Sequence, residues 1–275
     1  MSDYGPADLA AGPVLDHLAL ASRRAWDNLT RYCDHLGGRW LGGPTDPAED
    51  PFYFCQVGFA DGTKLELLQP YDSPGSEFLT RFLHRNGPGP HHLTFKVPDI
   101  GSAMADAQSL GYDIVSTQLD NEDWREAFLH PKQSHGIVIQ LAQPGPNGGW
   151  DLPGPLPPSE QDTASITGLT HLVADLDGAT RLFTVALGMT VVAEDDGPMG
   201  PQVVLGCGPW RLRLVQPTAP GPADWLGDRP GRFLQIELAL DRPDLIPDLR
   251  PLGQGYEVPP DHNQGTRLLL TSRSA

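Results

Sequence analysis

The sequence predicts an α+β protein built from four βαβββ units, paired into two modules, each a curved mixed sheet with its helices outside. Three recurrences predict it. A short apolar strand with a polar residue near its start occurs four times, in Asp16-His17-Leu18-Ala19-Leu20, His91-His92-Leu93-Thr94-Phe95, Thr170-His171-Leu172-Val173-Ala174 and Leu234-Gln235-Ile236-Glu237-Leu238. A helix-like stretch follows each and ends in Leu-Gly, at Leu36-Gly37, Leu110-Gly111, Leu187-Gly188 and Leu252-Gly253. A second apolar strand comes later in each copy, and three of the four end in Gln-Pro, at Gln69-Pro70, Gln143-Pro144 and Gln216-Pro217. Self-similarity in one order at one spacing is the mark of a duplicated unit.

Taken in order, each element has a local cause. From the key polar residue (His17, His92, His171, Gln235) to the Leu-Gly glycine the intervals are 20, 19, 17 and 18 residues. That is room for a strand and a helix, and a glycine there suits a left-handed helix cap. Runs such as Phe52-Tyr53-Phe54-Cys55-Gln56-Val57 supply the middle strands. The last strands are Lys64–Pro70, Ile137–Pro144, Arg211–Pro217 and the shorter Arg267–Thr271, where proline ends a ladder that needs its missing N–H. Residues 71–90 form a connector with a short helix through Phe78–Leu83. The Pro/Gly-rich stretch 146–164 reads as a linker between a first module, 12–145, and a second, 165–275.

Bulk composition narrows the function. The 275 residues are 39% hydrophobic and 20% charged, which suits a globular chain, and the formal charge of -16 argues against nucleic-acid binding. Cys33, Cys55 and Cys207 are an odd number without a spacing motif, so a disulfide framework is not expected. No run approaches the roughly 18 apolar residues of a membrane span, and the first residues lack signal-peptide character. The expectation is a cytoplasmic, reduced protein, a monomer or a homodimer, acting on a small molecule and not at a membrane.

Strand alternation picks out the chemistry. His17 and Glu66 in the first copy, and His92 and Gln140 in the second, stand on the face opposite their apolar neighbours. Their offsets are 49 and 48 residues, as a pseudo-twofold site between two copies requires. Two imidazoles, a carboxylate and an amide oxygen suit a divalent ion of the Zn, Fe, Co, Ni or Mn type. Such an ion polarises a carbonyl, stabilises charge on an enolate oxygen, or activates dioxygen. Asp16 and His91 fall on the other strand face as candidate orienting groups. His35, His84, His130 and His262 read as surface residues, and so does His135, in the turn before the last strand of the second copy. The equivalent set of the second module, His171, Arg213, Gln235 and Leu269, cannot hold a cation; it reads as a structural half, or with Arg213 as an anion pocket.

The segments LDHLAL (15–20), GTKLELLQP (62–70), GPGPHHLTFKVPDI (87–100) and EAFLHPKQSHGIVIQLAQP (126–144) resemble the vicinal oxygen chelate superfamily of glyoxalases, epimerases and ring-cleaving dioxygenases. The N-terminal half is most similar to the methylmalonyl-CoA epimerases, while 165–275 shares only the general repeat. The resemblance implies a divalent metal on His17, Glu66, His92 and Gln140, and chemistry through a metal-stabilised enolate next to a carbonyl. The sequence departs from the epimerases and glyoxalases at Gln140, where they carry glutamate; here the carboxylate, Glu66, is on the symmetry-related strand. The expected activity is that of a metal-dependent epimerase or isomerase on an acyl-CoA or 2-substituted acid. Glu66 is the first candidate for proton transfer, and a second comes from the loop or strand before it, Glu49 first, then Asp50 or Gln56. Lys132, in the turn before His135, is a candidate contact for a substrate carboxylate or phosphate. An Fe(II) ring-cleaving dioxygenase, a glyoxalase-like lyase and a non-catalytic ligand-binding protein are the alternative expectations.

Overall fold

A computed structural model of the chain describes residues 12–42, 52–59, 61–71, 75–145 and 163–273. The fourfold repeat is present. The first copy runs β1 (Val14–Ala21), α1 (Ala25–Leu29, continued by a wide π-helical turn Thr30–His35), β2 (Arg39–Gly42), β3 (Phe52–Gly58) and β4 (Lys64–Pro70). The connector forms α2 (Glu77–Asn86), over the stretch expected for it. The second copy is β5 (Gly89–Lys96), α3 (Ile100–Ser109), β6 (Ile114–Gln118), β7 (Trp124–Leu129) and β8 (Val138–Pro144). The third is β9 (Ser165–Val173), α4 (Leu176–Arg181), β10 (Thr190–Gly197), β11 (Gly200–Cys207) and β12 (Trp210–Val215), with α5 (Pro220–Leu226) after it. The fourth is β13 (Gly231–Leu240), β14 (Arg250–Leu252), β15 (Gly255–Val258) and β16 (Arg267–Ser272).

These strands make two eight-stranded mixed sheets of the same plan, β2-β3-β4-β1-β5-β8-β7-β6 and β10-β11-β12-β9-β13-β16-β15-β14. In each copy the first strand lies parallel to the last, as β1 to β4 (Leu18 opposite Leu65) and β5 to β8 (His92 opposite Val138), while the outer strands are antiparallel. Strands at the middle of a sheet are covered on both faces, and β1 is accordingly buried along nearly its whole length.

Helix starts follow from the sequence. Asp99 accepts from the Ser102 N–H and Asp175 from the Gly178 N–H, each in the short link after a strand and capping α3 or α4. Gly37, Gly111 and Gly188 take left-handed φ values of 67°, 88° and 65° after the helical segment. The fourth copy departs from expectation. Pro243, Pro247 and Pro251 interrupt the would-be helix, only Pro243–Leu245 makes a 3-10 turn, and Leu252-Gly253 is the turn of the β14–β15 hairpin.

Packing groups the chain into two compact units, one of 1–16, 92–149 and 168–234, the other of 17–91, 150–167 and 235–275. Within the first, Phe95 rests against Phe183, and Gly136 and Gly231 touch backbone to backbone. Within the second, buried Arg31 pairs with Asp248, Asn263 donates to the Tyr32 hydroxyl, and Gly265 packs against the carbonyl of Pro88. The three cysteines are free thiols, as expected, with Cys55 and Cys207 buried. Among the described residues no helix is long and apolar enough to cross a membrane.

Candidate metal centre

Register sets the first half of the site. β1 and β4 align Ala19 with Glu66, so His17, two residues earlier on β1, shares that face. His17 is 2% exposed, and its Nε2 lies 3.5 Å from Glu66 Oε2. On the other side β3 places Gln56 opposite Glu66, and its amide donates to Oε1 at 3.4 Å. A carboxylate in so enclosed a place is costly unless a cation or strong donors compensate it. The 3.5 Å separation is long for a hydrogen bond. It approaches the roughly 3 Å between two donors that each sit about 2.0–2.1 Å from one ion.

The second half is built on β5 and β8. Their parallel register pairs Thr94 with Gln140, and His92 lies on the same face two residues before Thr94. His92 and Gln140 are both buried. One donor atom from each of His17, Glu66 and His92 lies within 4.8 Å of the other two, and among the described residues this is the one such group of three histidines, cysteines or acids. The donor chemistry fits a divalent ion: two imidazoles and a carboxylate. Gln140 carries an amide whose Oε1 accepts from the Thr94 hydroxyl at 2.6 Å and whose Nε2 donates to Glu126 Oε2 at 2.7 Å.

Glu126 is a residue that sequence reasoning missed. It stands on β7 next to Ala127 and Leu129, which point into the core, and its Oε2 also accepts from the Trp124 indole at 3.0 Å. Alternation along Trp124-Arg125-Glu126-Ala127-Phe128-Leu129 would have put it beside Gln140, had β7 been aligned with β8.

The other expectations sort clearly. Asp16 turns from His17 and pairs with Lys96 at 2.9 Å, and Lys96 also lies 5.9 Å from the Trp124 ring. His91 is packed edge-on to Phe82 and near Phe78, and burial pushes its imidazole down to about 4 against an opposing pull from the Glu66 carboxylate. His84 and His262 are exposed, as expected, and so is Lys132. His135, expected at the surface, is buried: its carbonyl receives His171 Nε2 at 2.6 Å and its ring faces the Tyr112 hydroxyl. His171 is thus a clasp in the second sheet, and burial holds its pKa at about 4. Gln235 is bound to Arg267, itself paired with Glu257. Glu49 and Asp50 lie outside the described residues. A surface depression of about 490 Å³, walled by Asp27, Asn28, Arg31, His35 and Asn263, includes none of the four candidate ligands.

Comparison with known proteins finds a family model and solved structures to which the chain is similar. Residues 16–128 match the model of the Glyoxalase/Bleomycin resistance protein/Dioxygenase superfamily. Methylmalonyl-CoA epimerase from Mycobacterium tuberculosis is similar at 26% identity over 48% of this chain and 89% of its own, with a TM-score of 0.43. A mutant of 4-hydroxymandelate synthase from Streptomyces coelicolor is similar over 94% of this chain and 92% of its own, at 14% identity and a TM-score of 0.64. A hypothetical protein from Staphylococcus aureus is similar over 94% of this chain and 99% of its own, at 11% identity and a TM-score of 0.59. At these identities the last two likenesses speak to fold alone. No curated protein matches the chain.

Proposed function

We propose that this chain, which carries a glyoxalase/bleomycin resistance/dioxygenase superfamily module over residues 16–128, is a divalent-metal-dependent epimerase or isomerase that moves a proton at the carbon beside a carbonyl. The substrate class is a small acyl compound, a CoA thioester or 2-substituted acid. The observation that carries the reading is the His17, Glu66 and His92 cluster, with donor atoms within 4.8 Å. Gln140 completes the ligand set through its amide oxygen. When bound, a divalent ion at these residues supplies electrophilic polarisation of a carbonyl oxygen, which acidifies the adjacent C–H.

The chain's own groups do the rest. His17 and His92 are buried and offer ring nitrogens as donors. Glu66, 12% exposed, is the carboxylate with access to a ligand, and Gln56 holds one of its oxygens. Epimerisation needs a proton to leave one face of the carbon and another to arrive on the other. Glu66 is proposed for one face; Glu49 stays the candidate for the second.

Metal analysis of the purified protein beside Glu66→Ala tests the site. The wild type should retain about one divalent ion per chain, and the variant should bind more than about 100-fold more weakly. With Co(II) or Mn(II) restored, a panel of 2-substituted thioesters in deuterated water should gain deuterium at the α-carbon. A wild type that neither holds metal nor is stabilised by it would leave a ligand-binding protein as the better account.

A second reading, an Fe(II) oxygenase, draws support from the same cluster, since two histidines and one carboxylate are the donor set of that chemistry. Oxygen uptake with catechols and no deuterium wash-in would favour it.

A further inference from the structure

We propose that Glu126 is a positioning residue that fixes the polarity of the Gln140 amide, turning its oxygen toward the strand that carries His92. The proposal rests on the reading of Gln140 as a metal ligand. A primary amide has an oxygen and a nitrogen end of nearly equal size, and its terminal torsion is soft. Only the oxygen end serves a cation; the nitrogen end repels one. A ligand amide therefore needs an external cause for facing the right way.

The structure holds such a cause on the β7 side of Gln140, where each partner is chemically one-directional. Trp124 Nε1–H can only donate, and it donates to Glu126 Oε2 at 3.0 Å. A carboxylate accepts, so of the two ends of the amide only Nε2 can satisfy it, and it does so at 2.7 Å. The oxygen end is left facing β5, where the Thr94 hydroxyl donates to it at 2.6 Å. Thr94 is fully buried and two residues from His92 on the same face of β5. In the series Trp124 to Glu126, Gln140 to Glu126 and Thr94 to Gln140, reversing the amide would set its oxygen against the Glu126 carboxylate and break that hydrogen bond, while the Thr94 hydroxyl could turn to accept. A pair that served only to join β7 to β8 would need no such sequence of one-way partners.

The arrangement also assigns a place to the charge of this corner. The carboxylate stands on β7, one strand removed from the ligand position on β8. Exchanging the two groups should then be tolerated, whereas duplicating either should not.

The test is metal affinity, measured by competition with a chromophoric chelator, together with the visible absorption of the Co(II) protein and the melting temperature of the metal-free form. Glu126→Gln gives an amide facing an amide and removes the polarity constraint. It should weaken Co(II) binding about 10–100-fold and alter the absorption, with the metal-free melting temperature little changed. Gln140→Glu alone sets two carboxylates against each other and should lose stability in the metal-free form. The combined Glu126→Gln, Gln140→Glu protein should recover Co(II) affinity to within about tenfold of the wild type. Should Glu126→Gln not fold, Trp124→Phe removes the first donor and should weaken binding in the same direction by a smaller factor. Wild-type affinity and an unchanged Co(II) spectrum in Glu126→Gln, or no recovery in the exchanged pair, overturns the proposal. Absence of Co(II) uptake by the wild type strikes the metal reading itself.

Discussion

At the scale of single residues, Asp16 and His17 are chain neighbours with opposite partners. His17 meets Glu66, while Asp16 meets Lys96 at 2.9 Å with only 7% and 16% of the two side chains exposed. Buried ion pairs add little over a well-packed apolar pair, but deleting one member is expensive because the other charge stays behind. Asp16→Asn should therefore cost about 3 kcal/mol, read as a lower urea midpoint with an unchanged slope. A midpoint within experimental error of the wild type would show that Lys96 finds water instead. The ligand candidates were legible from sequence because duplication wrote them twice, at offsets of 49 and 48 residues. Glu126 was not, because its register equivalent in the first copy is Phe54: Glu126 lies opposite Ala142 on β8, and Phe54 opposite Leu68 on β4. A residue with no echo gives pattern reasoning nothing to count.

At the scale of elements, strands and caps were legible, and the helix of the fourth copy was not. The Leu-Gly signal recurs there, but a glycine with φ of 58° serves a hairpin as well as a helix end. Three prolines in eleven residues, 241–251, were the stronger signal against a helix. The glycines that matter most are where two backbones meet. A β-carbon on Gly231 would fall 1.8 Å from the His135 carbonyl oxygen, and one on Gly136 would fall 2.0 Å from that of Gly231. Neither neighbour is a side chain that can swing away. Gly231→Ala should lower stability by about 3 kcal/mol or more. Gly111→Ala, with φ of 88° and nothing within 4 Å of the added carbon, should lose only the left-handed penalty of about 1–2 kcal/mol. Parallel thermal melts of the two variants decide the matter; equal losses would mean that the contact is slack.

At the scale of the whole molecule, acid should unfold the chain before its net charge alone would. His171 is wholly buried and held neutral, with a folded pKa of about 4 against an ordinary 6.5. The depressed value means that the unfolded chain takes up the proton first, so stability from this residue is complete above pH 6.5 and falls as the pH drops toward 4. The melting temperature should decline across that window, and the decline should be shallower in His171→Phe, which has no proton to accept. An identical pH profile in the variant would assign the loss to other groups.

The pairing of copies has a molecular consequence as well. Arg31 reaches the Pro247 carbonyl and Asp248, and Ser22 donates to Gln264, so the first copy packs against the fourth. The second packs against the third through Phe95 and Phe183. Residues 12–145 produced alone should therefore not yield a folded monomer; sedimentation should find dimers or aggregates in which a second molecule covers the bared faces. A monodisperse monomer with cooperative unfolding would show that the first half is self-sufficient.

That interleaving bears on how the protein is made. The fourth-copy partners of residues 17–91 begin at residue 235, so a chain emerging from the ribosome must carry its first copy without them through most of its synthesis. The second and third copies, contiguous in the chain, can settle together first, and the outermost segments close on each other last. Sensitivity to loss of the fourth copy and dependence on chaperones should accordingly be greatest while the first copy waits for the fourth.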